Sequence, residues 1–242
     1  MPDRLKRLAA GLLAGFLAAA PAAAMDMRLE SERLVLAGPV QADDHERLFA
    51  ALAAAGPRVT TIHLRDSPGG VLRAGLLMGT LIRDRGLFTI ASGLCASSCA
   101  LAFLGGRERF FADDRPATRN ALGFHGTYRA DTLALVPEMI PLLERYIQEQ
   151  TGGRTTPRLL ERWSKLRDPR ELVYFFHPEV ASDLGGASVL LCGADQRDEG
   201  GRLRFDRCER IDNTDALRQG IVTSIRTYRV IADAPSGNPA SR

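Results

Sequence analysis

Three short stretches hold residue types able to act on a carbonyl group. They are Asp66-Ser67-Pro68-Gly69-Gly70-Val71, Gly93-Leu94-Cys95-Ala96-Ser97-Ser98-Cys99-Ala100 and Gly123-Phe124-His125-Gly126. A serine hydroxyl becomes a nucleophile when a neutral imidazole takes its proton, and the oxyanion that forms then needs N–H donors. A glycine pair at a strand-to-helix junction can leave backbone N–H groups pointing into open space. A serine among small residues can stand exposed at a sharp turn above a helix N-terminus. A histidine between glycines is uncrowded and can reach across to that serine. Each stretch alone has a plainer use, as a tight turn, an N-cap serine or a structural histidine. The other histidines of the chain fall on an exposed helix (His45), inside a strand (His63), and before Pro178, where His177 can cap.

The elements that must position these stretches alternate. Arg33–Val40 reads as a strand, and Asp43–Ala55 as a helix capped by Asp43 or Asp44 and ended by Gly56-Pro57. Val59–Leu64 is rich in β-branched residues and reads as a buried strand running into a turn over 66–70. Val71–Arg85 has helical periodicity, Leu87–Ser92 is a strand, and Ser97–Leu104 is a short apolar helix. Further strands are expected near Arg109–Ala112 and over Ala121–Gly126. Helices are expected over Asp131–Gln150, Thr156–Trp163 and Pro178–Leu184, the last closed by Gly185-Gly186. Strand, turn and helix in alternation predict an α/β fold in one domain, over residues 25–230.

Taken together, the motifs resemble the Clp protease proteolytic subunit and the wider Clp/crotonase superfamily. The resemblance extends to exported, periplasmic members, through C-A-S-x-C, Gly105-Gly106-Arg107 and the G-F-H segment. It covers Val59–Gly126 well and extends more loosely to Ala187. It implies a repeated ββα superhelix and a serine peptidase. Ser97 falls on the nucleophile and His125, 28 residues on, on the general base. The N–H groups of Gly70 and Ser98 fall on the oxyanion donors. Residues around Gly70-Val71 would pair with a substrate backbone as an added strand. The family's acid falls on Leu172, so Asp168 is the expected third member, with Glu171 as alternative. A Ser–Lys arrangement would have to recruit Lys165. An acyl-CoA enzyme of the same superfamily and a catalytically silent peptide-binding protein remain as alternatives.

The address narrows these readings. Arg4, Lys6 and Arg7 precede an apolar run from Leu8 to Ala20, then Pro21 and Ala22-Ala23-Ala24. This is the pattern of a signal peptide over residues 1–24, the run being shorter than the ~20 residues a spanning helix needs. An uncleaved anchor is the competing reading. Export removes acyl-CoA substrates and any ATP-driven unfoldase, so a peptide substrate must arrive short, exposed or already unfolded. The formal charge of +3 is largely in the leader, leaving no field for nucleic acid. Cys192 and Cys208 bracket a polar loop and are an expected disulfide in an oxidising compartment. Cys95 and Cys99 are a second disulfide or two buried thiols. Neither metal-ligand spacing nor a cofactor motif is present, so no metal or cofactor is expected. The apolar residues of 131–150 leave homo-oligomerisation open. The tail over 231–242 is rich in Pro, Gly and Ser and is expected to be disordered.

Overall fold

The computed structural model describes residues 24–196 and 203–230. Residues 1–23, 197–202 and 231–242 lie outside the described residues, and with them nearly all of the expected signal peptide over 1–24 and the whole segment expected to be disordered. Strand β1 (Asp26–Glu30) turns back on β2 (Arg33–Ala37), and α1 (Asp44–Ala55) crosses to β3 (Thr61–Ser67). Helix α2 (Leu72–Asp84) leads to β4 (Phe88–Ala96), then come α3 (Ser98–Leu104), β5 (Arg109–Phe111) and β6 (Ala121–Phe124). Helices α4 (Ile140–Thr151) and α5 (Pro157–Ser164) precede β7 (Leu172–Phe176), β8 (Val189–Cys192) and β9 (Glu209–Arg210).

One mixed sheet orders these strands β1-β2-β3-β4-β6-β7-β8-β9, with β5 beside β4. Strands β2, β3, β4 and β6 are parallel, as helical crossovers require, and β6 to β9 are antiparallel. The helices cover one face. Leu48 and Leu52 of α1, Met78 and Ile82 of α2, and all of α3 are buried there, four residues apart or on successive turns. A smaller apolar cluster fills the other face around Tyr174, Phe176, Leu184 and the Cys192–Cys208 disulfide. Arg109 staples the C-terminal segment to this frame. Its buried guanidinium donates to the carbonyls of Ile221 (2.9 Å), Gly220 (2.7 Å) and Gly106 (2.9 Å).

Three local expectations are corrected. The turn expected over 66–70 begins only at Pro68. Strand β3 continues through Asp66 and Ser67, with a register shift at Asp66 (φ 47°) and Ser67 paired to Cys95. The helix expected over Asp131–Gln150 forms only from Ile140, after a single 3-10 turn at Pro137–Met139. Pro137 and Pro141 have no N–H to give, so each fits only near a helix start. The residues before them instead fold back, with Tyr128 bridged to Leu135. The helix expected over Pro178–Leu184 is one 3-10 turn, Pro178–Val180, that His177 caps through Nδ1 to the Glu179 N–H (3.2 Å). Strands β1, β7, β8 and β9 were not expected from the sequence.

Candidate active site

Ser97 sits between β4 and α3 with φ 55° and ψ −126°, a conformation that L residues rarely adopt. Its own N–H donates to the Gly123 carbonyl (2.8 Å), and its carbonyl accepts the first bond of α3 from Leu101 (3.1 Å). The backbone is thus bent sharply and pinned from both sides. The Cys95–Cys99 disulfide, with Cα atoms 5.3 Å apart, ties the end of the strand to the first turn of the helix across Ser97. Both sulfurs are buried. Replacing both cysteines by alanine is expected to lower stability by about 2 kcal/mol, from the loss of one short closed loop. Urea titration of the oxidised protein against the double variant measures it.

Burial separates the two adjacent serines. Ser98 is fully buried beneath α2, and its Oγ has no hydrogen-bond partner. Ser97 is half-buried and lines a niche of about 10 Å³, room for about one water molecule. His125 stands in the wall of the same niche, with Leu72, Leu101, Leu143 and Ile147 around it. It follows directly on β6, which pairs with β4 in parallel at Ala96–Gly123. That register carries Ser97 and His125 off neighbouring strand ends. Ser97 Oγ and the imidazole make no direct hydrogen bond.

Burial holds the His125 imidazole down to a pKa of about 4, against a weaker opposing pull from the Gly126 backbone. The ring is therefore neutral across the ordinary pH range, with Nδ1 buried and unpaired. No charged side chain contributes to this shift. The Tyr128 ring lies against it, centroids 5.1 Å apart and planes 21° from parallel.

The glycine pair runs alongside the elbow. Val40 bonds to the Gly69 carbonyl (2.8 Å) and receives the Val71 N–H (3.0 Å). Gly70 lies between them, so its own N–H projects to the opposite, exposed edge. Gly69 packs directly on Ser97: a Cβ built there would stand 2.6 Å from Ser97 Cβ and 3.1 Å from the Ser98 nitrogen. The Ser98 N–H opens α3 and has no partner within the helix.

The acids named from sequence are not brought to His125. Asp168 is clamped by Arg170 through Nε (3.0 Å), Nη2 (2.8 Å) and the backbone N–H (2.9 Å), which holds its carboxyl down to about 2. The Asp168 backbone carbonyl, not its carboxylate, faces Tyr128 (3.4 Å from the hydroxyl). Glu171 lies in the same loop and is felt electrostatically by Tyr128. Lys165 is exposed and donates to Glu161 on its own helix (2.6 Å). Tyr128 was missed from the sequence, where an aromatic three residues past the histidine was its only trace.

No family model matches the chain, and no curated protein matches it. Among solved structures the chain is similar to a point mutant of ClpP1 from Listeria monocytogenes, at 16% identity. That match covers 84% of this chain and 92% of the other, with a TM-score of 0.46. It is also similar to ClpP1 from Listeria monocytogenes itself, at 17% identity over 62% and 86% of the two chains, TM-score 0.42. A mutant of the 1510-N membrane-bound stomatin-specific protease is similar at 15% identity over 63% and 74%, TM-score 0.43. What the site can do follows from its own residues.

Proposed function

We propose that the protein is an exported serine-type peptidase that cleaves short or unfolded peptides without cofactor or ATPase. The observation that carries this reading is the elbow. A positive-φ serine, pinned at a strand-to-helix bend, shares a niche with a neutral histidine delivered by the adjacent strand. Two disulfides fit an oxidising compartment, which agrees with removal of residues 1–24 as a signal peptide.

In this reading a peptide lies along the exposed edge at Gly70 and Val71 and presents its carbonyl to Ser97. His125 takes the hydroxyl proton as Oγ attacks, and the N–H groups of Gly70 and Ser98 hold the oxyanion. The imidazolium then protonates the leaving amine, and water, activated by the same ring, releases the acyl group. The pair works without a carboxylate. Asp168 would have to leave Arg170 to join it, and an unassisted pair is slower by about 10⁴-fold than one with its acid but still active, because the oxyanion hole and the base remain. Homo-oligomerisation would enclose such a site, and the exposed Leu133 and Leu142 offer apolar surface for it.

A second reading, a peptide-binding protein without turnover, draws on the absent Ser97–His125 hydrogen bond. A fluorophosphonate separates the two. The purified protein is expected to label covalently at neutral pH, S97A to lose the label, and S98A to keep it. Absence of label on folded wild-type protein supports the silent reading, and loss of label in S98A alone moves the nucleophile by one residue.

A further inference from the structure

We infer that Tyr128 is the positioning residue of the site, holding the His125 ring by its face where a carboxylate would otherwise hold it by an edge. The inference rests on the reading of His125 as general base. Its support is a chain of contacts that is continuous from loop to ring. The Tyr128 hydroxyl donates to the Leu166 carbonyl (2.8 Å) and leans on that of Asp168 (3.4 Å), so the segment after α5 anchors the phenol. The phenol ring then stacks on the imidazole at 5.1 Å.

The backbone beneath is equally fixed. Val136 donates to the Thr127 carbonyl (2.8 Å) and Tyr128 bridges Leu135, so residues 127–136 close as a small antiparallel loop. Gly126 lets this loop approach α5: a Cβ there would stand 2.5 Å from the Ser164 carbonyl oxygen. Tyr128 thus lies between His125 and the loop carrying Asp168 and Glu171, both of which act on its phenol. That placement keeps the acids from the imidazole and leaves Nδ1 buried and unpaired. Orientation by a stacked ring differs chemically from orientation by an acid. It fixes the plane of the imidazole but adds no negative charge, so the base stays neutral and weakly basic.

The experiment follows the His125 ring protons by NMR in the full chain, assigned with H125Q, beside the rate of fluorophosphonate labelling. In wild type the ring protons should show an upfield ring-current displacement that survives in Y128F. Y128L is expected to raise the His125 pKa from about 4 toward its ordinary 6.5, and to slow labelling by about tenfold to a hundredfold. Y128F should restore both. D168N should leave the titration where it is. The inference is overturned if wild type shows no upfield displacement, if Y128L titrates and labels like wild type, or if D168N moves the titration as far as Y128L does. The displacement needs no variant that could fail to fold. If the titration shifts in Y128L while wild type takes no label, the stacking role stands and the peptidase reading falls.

Discussion

Gly69→Ala is expected to destabilise the protein by about 3 kcal/mol and to slow fluorophosphonate labelling of the folded fraction about a hundredfold. Two costs combine. The backbone at Gly69 has φ 91°, where an L side chain is strained by on the order of 1 kcal/mol or more. The added methyl would also stand 2.5 Å from the Ala96 carbonyl oxygen and 2.6 Å from Ser97 Cβ. These are backbone and stem atoms rather than the ends of flexible side chains, so the elbow itself has to move. A displacement of that kind carries both the nucleophile and the Ser98 N–H with it. Gly38→Ala is the control, because Gly38 has nearly the same φ, 93°, yet its Cβ would meet nothing closer than Met25 Cα at 4.0 Å. It should cost about 1 kcal/mol and leave labelling intact. Urea titration and labelling rates on the same preparations test the pair. Equal behaviour of the two variants would mean that Gly69 does not press on Ser97.

Much of this site is legible in the chain because its parts are local. The small residues around Ser97, the glycine pair after Pro68 and the glycines around His125 mark strand ends where backbone must bend, and each lies at the junction its composition predicts. The parts that were not legible depend on register or on contacts between distant segments. Tyr128 reaches His125 only because Gly126 lets the loop close on Ser164, and no periodicity records that. The Asp131–Gln150 segment carries helical spacing, but its prolines and the bridge of Tyr128 to Leu135 override it until Ile140. Strand β7, five buried residues from Leu172 to Phe176, is a continuous apolar run. Such a run has no alternation to read because both of its faces are covered. Placing the acid by counting back from Pro178 could not show that Arg170 already holds Asp168.

The same dependence on register produced a second histidine contact, and with it the other large effect. His63 on β3 and Ser92 on β4 are both fully buried, and Nε2 lies 2.8 Å from Ser92 Oγ. Asp114 approaches to 4.0 Å, but Arg65 already engages it at 2.8 Å. Burial, then the charge of Arg65, lowers the His63 pKa to about 4, and Asp114 only partly offsets this. With the folded value below the ordinary 6.5, the unfolded chain takes the proton first as pH falls. Stability from this residue is therefore complete above about pH 6.5 and is lost as pH drops toward 4. The total loss is about 3 kcal/mol, because each tenfold difference in proton affinity between the folded and unfolded chain is worth roughly 1.4 kcal/mol. The His125 pKa is lowered as well, so the contribution of His63 must be isolated. The double variant H63L/S92A removes the imidazole and its hydroxyl partner together, which avoids leaving Ser92 unpaired. Urea unfolding of wild type is expected to show about 2 kcal/mol more loss between pH 7 and pH 4.5 than the double variant shows. H63L alone should be less stable than the double variant at pH 7, because a buried hydroxyl then has no partner. Parallel pH profiles for wild type and double variant would mean that His63 is not the residue that makes this fold acid-sensitive.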